Sequence, residues 1–349
     1  MAEMRGAEVA RSEVSAEDGA EPRRTKPVRW RALGPWAIFL LVFGLMPIVY
    51  SAPFQHNVAV LICITALMAV GWNLLGGFTG QISLGHALFF GIGEYTTAVG
   101  GVRFGLNPWL GLLLGALIAV AVSMVIGLPA FRLRGHYFSI ATIAVGEIAF
   151  LIFLNWRFVG GARGLSIPIK EDSFLELQFS GQQKWEYYYI AASFLLLALL
   201  ATRAILRSRI GYYLIAIRED QDAAASVGIP VARYKQIALS FSAIVVAVAG
   251  GFFAQYVLFI DPESALGLAI SIQITIAAVL GGVGSMWGPV IGATVLLSLI
   301  ESARLYLGGT GEALNLVVYG LLVMTIAAFE PNGLIGMAQR VKLLRGRSH

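Results

Sequence analysis

Nine amide or ionisable side chains stand inside stretches otherwise built of apolar residues: Asn73, Gln81, His86, Glu94, Glu147, Asn155, Gln255, Gln273 and Glu301. A charged group at the centre of a bilayer costs roughly 2.5–3.5 kcal/mol on insertion scales, so each needs a neighbour or a polar pathway. In a helix, Ser83, Phe90 and Glu94 fall at i, i+7 and i+11 and share one face, with His86 about 60° away at about 100° per residue. Such a face can line a cavity for a polar solute. The candidate pathway group is Gln81, Ser83, His86, Phe90, Glu94, Glu147 and Gln273. The competing reading is that these groups hydrogen-bond neighbouring helices and hold a bundle together.

Other chemistries find no support. His86 and Glu94 are eight residues apart and miss the i, i+3 or i, i+4 spacing of paired helical ligands, so no metal site is expected. There is no GxSxG elbow for a nucleophile, and His56, His136 and His349 fall near span ends or the terminus. None of the five Lys residues follows a Gly, so the phosphate-cradling GxxxxGK[ST] loop is absent and the chain has no ATPase motif of its own. No cofactor is called for. The single Cys63 sits in an apolar run and reads as a small packing hydrophobe.

The elements that must hold these residues are membrane helices. Hydrophobic residues make up 58% of the 349 and charged ones only 13%, about half the charge of an ordinary soluble domain. The reading is an all-α polytopic membrane protein of about ten transmembrane helices. Spans are expected near 34–52, 56–76, 80–101, 108–128, 138–156, 185–204, 236–260, 265–283, 286–305 and 311–329, each about 20 residues. They form a transmembrane domain over 34–329. Residues 1–33 are rich in Ala, Glu, Arg and Pro and read as a disordered cytoplasmic tail, and 330–349 as a basic cytoplasmic one.

A net charge of +5 would suit nucleic acid, but the basic residues cluster beside apolar spans, where they set topology and meet anionic lipid. Nucleic acid is set aside as a partner. With the N-terminus inside, 19 of the 25 Lys and Arg fall on the cytoplasmic side. That bias predicts both termini inside, an external loop at 157–184 and a cytoplasmic loop at 205–235.

The cytoplasmic loop lies within Arg203 to Lys235, the long polar interruption between two spans. Glu219, Asp220 and Asp222 suit a helix N-terminus, small Ala223, Ala224, Ala225 and Ser226 follow, and Gly228 with Pro230 ends the run. A stub of about eight residues, roughly 12 Å long, is predicted there. It is shaped for a groove on another protein, though the same charges would also suit a solvated loop.

Two stripes of small residues point to close helix packing. Gly111, Gly115, Ala119, Ser123 and Gly127 recur every four residues, and Gly284, Gly288 and Gly292 open the ninth expected span. Leu75-Gly76-Gly77 and Leu280-Gly281-Gly282 each precede a Gly-rich break and a new span, an echo suggesting two repeated halves with broken helices.

Five groups of residues in order resemble a known family. They are Gly80-Gln81-Ile82-Ser83-Leu84-Gly85-His86-Ala87 with Phe90-Gly91-Ile92-Gly93; Arg134-Gly135, Tyr137-Phe138, Ala141-Thr142 and Glu147-Ile148; and Gly160-Gly161-Ala162-Arg163-Gly164-Leu165. Then come Ala216-Ile217-Arg218-Glu219-Asp220 with Ala223-Ala224, Gly228-Ile229 and Tyr234-Lys235, and Gly281-Gly282-Val283-Gly284-Ser285 with Gly288-Pro289-Val290-Ile291-Gly292-Ala293. The chain resembles the inner-membrane permeases of branched-chain amino-acid ABC transporters, the LivM-like subunits of the LIV type, from about Ala69 to Gly336.

The resemblance implies an importer subunit of the bacterial inner membrane. It implies that Arg218, Glu219, Asp220, Ala223, Ala224 and Gly228 dock on two cytoplasmic ATP-binding subunits. It further implies a second, LivH-like permease and a periplasmic solute-binding protein as partners. Glu94 stands where the family usually has a small residue and Gln221 where an acid is usual, and Glu330-Pro331-Asn332-Gly333 is less basic than the pattern. Glu94 leaves room for a different amino acid, urea or a short amide as solute. From a different class, a proton-coupled secondary transporter would use Glu94, His86 and Glu147 as a relay and would need no docking stub.

Overall fold

The computed structural model describes residues 34–49, 53–133, 135–179, 185–307, 320 and 333–336. The expected tail at 1–33, nearly all of the tenth expected span, 311–329, and all of the expected 330–349 tail except 333–336 lie outside these residues. The chain divides at Val49. Its first part holds one helix, α1 (Gly34–Val49), in which Phe39 and Phe43 stack with ring centroids 4.2 Å apart.

The second part begins with α2 (Pro53–Thr79), 27 residues and roughly 40 Å long at about 1.5 Å per residue. It is buried almost without interruption from Ala59 to Thr79, a pattern that leaves no lipid-facing stripe and makes it the central post. Around it pack α6 (Trp185–Arg207), α9 (Val231–Val257), α11 (Leu268–Gly281) and α12 (Gly288–Leu307). α3 (Ala87–Phe104) lies between α9 and α4 (Pro108–Ala130), and α5 (His136–Asn155) stands at the outside against α3 and the short α10 (Pro262–Leu266). Between α6 and α9 run α7 (Arg209–Glu219) and α8 (Gln221–Ser226). Two two-residue strands, β1 (Leu165–Ser166) and β2 (Phe259–Ile260), pair antiparallel and tie the loop after α5 to the turn after α9.

Lipid is as apolar as Leu, so close van der Waals approach rather than hydrophobic burial holds such helices together. A Cβ on Gly93 would collide with the carbonyl of Ala247, and one on Gly250 with that of Phe90, so α3 and α9 touch backbone to backbone. Gly111 and Gly115 bring α4 onto the same place, where an added Cβ would come 2.9 Å from Thr97 Cα and 3.1 Å from Gly93 Cα. Gly288 and Gly292 do the same for α12 against the end of α11, at Gly282 and Ala277.

Among the described residues, six segments are long and apolar enough to cross a membrane: α2, α4, α5, α6, α9 and the run Pro262–Gly281. A count of ten is not established. The third expected span, 80–101, is corrected: residues 80–86 are not helical and α3 starts at Ala87. The face shared by Ser83, Phe90 and Glu94 therefore does not exist, because Ser83 precedes the helix. Gly284 likewise does not open the ninth span; it sits in a break at φ +76° and α12 starts at Gly288.

Candidate functional site

The non-helical stretch 80–86 is unusual for backbone surrounded by membrane helices, where every N–H and C=O needs a partner from protein. Its backbone partners come from two other helices, and a third holds the head of α3. Trp72 Nε1 of α2 donates to Ser83 O at 2.7 Å. Ser139 Oγ of α5 donates to Ile82 O at 2.6 Å, and Thr142 Oγ1 accepts from Leu84 N at 3.1 Å. At the head of α3, Ala87 N donates to Ser271 Oγ of α11 at 2.8 Å.

His86 is held inside this frame. Its Nδ1 lies 3.0 Å from Ser83 Oγ and its Nε2 2.8 Å from Ser242 Oγ of α9, and the residue is fully buried. Both ring nitrogens are thus engaged by hydroxyls, and no hydrogen bond links His86 to Glu94 or Glu147 among the described residues. The cavity beside Ser83 and Thr142 is about 20 Å³, room for one water and not for a solute.

The other candidates divide. Phe90 is buried, with its ring centroid 5.5 Å from that of Phe253, and fills the core rather than a channel. Gln81 is half-buried with an unpartnered Oε1, and Gln273 is half-buried on α11. Glu94 is 0% exposed and neither carboxylate oxygen has a hydrogen-bond partner. Tyr95 beside it is buried with an unpartnered hydroxyl. Asp261 stands before α10, which packs on α3. Its carboxylate caps α10, accepting from Glu263 N at 3.0 Å and Ser264 N at 3.1 Å.

Glu147 is the opposite case. It is exposed on the outer face of α5, in one stripe with exposed Ile140, Ile148, Leu151 and Ile152.

Asp220 ends α7 and caps α8, its carboxylate accepting from Asp222 N at 2.8 Å and Ala223 N at 2.9 Å. The expected stub is therefore corrected from eight residues to six, and Glu219 belongs to the helix before it. Gly228 adopts φ +87°, the left-handed conformation that follows a helix at little cost only in Gly. Ala223 and Ala225 face outward, whereas Ala224 is 4% exposed and packs within this chain. Arg218 is exposed, and its Nη1 donates to Gly77 O at 2.8 Å.

Asp261, Ser242 and Ser271 were not singled out from the sequence, and Thr142 entered only within the Ala141-Thr142 motif. A lone hydroxyl in an apolar helix most often bonds its own i−3 or i−4 carbonyl, as Thr142 also does to Ser139 O at 2.8 Å, so its spacing carries no signal. Asp261 was legible as an N-cap before Pro262, but its nearness to Glu94 arises only from the fold.

A family model described as the branched-chain amino acid transport system / permease component matches residues 55–327. The chain belongs to this family. It is 30% identical to the high-affinity branched-chain amino acid transport system permease protein LivM of Salmonella typhimurium, over 88% of this chain and 78% of that one. It is also 30% identical to LivM of Escherichia coli, over 88% and 77%. To the LivH permease protein of Escherichia coli it is 26% identical, over 80% and 93%. As a member of the branched-chain amino acid permease family, it carries the 80–86 break, the α7–α8 segment and the Gly-lined second break inside the matched region.

Proposed function

We propose that this chain is the membrane-spanning subunit of an ABC importer that carries branched-chain amino acids across the bacterial inner membrane. In this reading ATP is hydrolysed by two partner subunits at α7–α8, a periplasmic binding protein delivers the solute, and a second LivH-like permease completes the pathway. Both termini and the 205–235 segment face the cytoplasm, and 157–184 faces outward, in keeping with the distribution of Lys and Arg.

The observation that carries the reading is the family match over most of the chain, in which LivM and LivH relatives are both permease proteins of branched-chain amino acid systems. The Glu147 face of α5 is read as bordering the pathway. A carboxylate in the middle of a membrane helix does not face lipid without a cost of roughly 2.5 kcal/mol or more, so the Glu147 stripe of α5 borders water or a second permease. The proton relay loses its support, since His86 is occupied by Ser83 and Ser242.

Reconstitution tests the proposal. Vesicles holding this chain, its LivH-like partner and the ATPase subunits should take up labelled leucine only with ATP inside and binding protein outside. ATP-independent uptake driven by a proton gradient would overturn the class, and uptake of urea or acetamide in place of leucine would overturn the substrate.

A further inference from the structure

The two Gly-rich breaks, far apart in sequence, meet. Asn73 of α2 donates from Nδ2 to Ser285 O at 2.9 Å and accepts from Gly284 N on Oδ1 at 2.9 Å, so one side chain clamps the second break to the helix that ends in the first. Gly77 and Gly284 approach so closely that a Cβ on Gly77 would come 2.7 Å from Gly284 N. Arg218, near the end of α7, lies across this meeting point. Its Nη1 donates to Gly77 O at 2.8 Å, and the same atom fills the space a side chain at Gly284 would take. A Cβ on Gly80 would touch its stem, 3.6 Å from Cγ.

Two of the touched residues are in the left-handed region, Gly80 at φ +71° and Gly284 at φ +76°, where any other residue is strained. Two glycines, Gly77 and Gly284, thus meet the guanidinium and a third, Gly80, meets its stem. Arg218 is also the last residue but one of α7, and Asp220 then starts α8. Beyond Gly80 runs the 80–86 stretch that holds His86 and leads into α3. The arginine therefore stands between the segment offered to the ATPase and the two places where the membrane helices are interrupted.

We infer that Arg218 is the positioning residue that passes movement of α7–α8 to the end of α2, with the 80–86 break after it, and to the second break at Gly282–Ser285. It does so by hydrogen-bonding Gly77 O while its guanidinium packs against Gly284, so that the docking segment and both breaks shift as one body. An arginine suits this where a lysine does not: its flat fork reaches Gly77 O while lying against Gly284, whereas an ammonium is a single compact point. The inference rests on the reading of α7–α8 as the ATPase-docking segment.

The test uses the complete transporter in vesicles and reads solute carried per ATP hydrolysed. In Arg218→Ala that ratio should fall by about tenfold, within the usual range of a coupling free energy. Arg218→Lys should recover only part of it. Gly284→Ala puts a methyl where the guanidinium lies and should uncouple as well, and the double variant should be no worse in this ratio than the worse single one, because both remove the same contact. Simple additivity of the two losses, or a normal ratio in Arg218→Ala, overturns the inference. Cross-linking of Ala223→Cys to an ATPase subunit, with Arg218 intact, checks the docking reading separately. A cross-link together with a normal ratio in Arg218→Ala rejects the arginine's role alone, while no cross-link rejects the docking reading.

Discussion

Lys235 Nζ of α9 lies 2.6 Å from Gln221 Oε1, the first residue of α8, and the lysine is only 1% exposed. A buried ammonium next to a six-residue helix fastens that helix to a long one. α8 is too short to hold itself, since an isolated helix needs about 12–15 residues to be even marginal. Its conformation therefore depends on the Asp220 cap, on Ala224 packed inward and on this hydrogen bond.

Lys235→Met should loosen α8 while leaving α9 intact. A hydrogen bond to a charged group is worth about 1.5–3 kcal/mol, and losing it should show as faster proteolysis within residues 220–230 and a lower melting temperature in detergent. Gln221→Glu should act the other way, turning the contact into an ion pair. Equal protease sensitivity of wild type and Lys235→Met would show that other contacts suffice.

Substitutions on α8 should separate by face. Ala224→Trp would drive an indole into a filled space and should lower the yield of folded protein. Ala223→Trp, on the open face, should fold and insert normally but fail to retain the ATPase subunits in a pull-down. The same behaviour from both variants would mean that the stub has no distinct docking side.

The existence of most helices was legible because a 20-residue apolar run has few alternatives. The break at 80–86 was not, because Ile82, Leu84 and Ala87 keep the stretch apolar enough to pass for a helix and its backbone partners come from residues 72, 139 and 142. Asp220 and Glu219 could each have started the stub; a short carboxylate reaching the N–H groups two and three residues on chooses Asp220. The echo of Leu-Gly-Gly in two places was readable as a pattern, but that Asn73 joins the two places was not. Of the pathway group, the sequence rightly found groups that need an account in a membrane, yet it could not separate His86, satisfied by two serines, from Glu94, satisfied by none.

The α3–α9 seam should tolerate almost nothing. Gly93→Ala and Gly250→Ala each place a methyl on a facing carbonyl and should destabilise by about 1–3 kcal/mol or more, since the two backbones would have to part. Gly34→Ala, with nothing within 4 Å, is the control and should leave detergent melting unchanged. Equal melting of Gly93→Ala and the control would mean that the seam opens freely.

Glu94 is the group whose chemistry the fold leaves most open. Its two oxygens are buried without a partner, the neighbouring Tyr95 hydroxyl is unpartnered too, and the Asp261 carboxylate caps α10, which packs on α3. A lone carboxylate in such a place demands either a proton or a cation, because burying it uncompensated is far more costly than a hydrogen bond can repair. A solute that enters with an ammonium group supplies the cation and a neutral amide does not. Glu94→Gln keeps the shape and removes the charge. It should lower uptake of zwitterionic amino acids by roughly tenfold, the weight of about 1.4 kcal/mol, while binding protein still stimulates ATP hydrolysis in the same vesicles. Asp261→Asn keeps a capping oxygen and should give a smaller loss in the same direction. If Glu94→Gln carries leucine as well as the wild type does, the carboxyl is a protonated packing group and the ammonium is recognised elsewhere, with the exposed Glu147 of α5 the next residue to change.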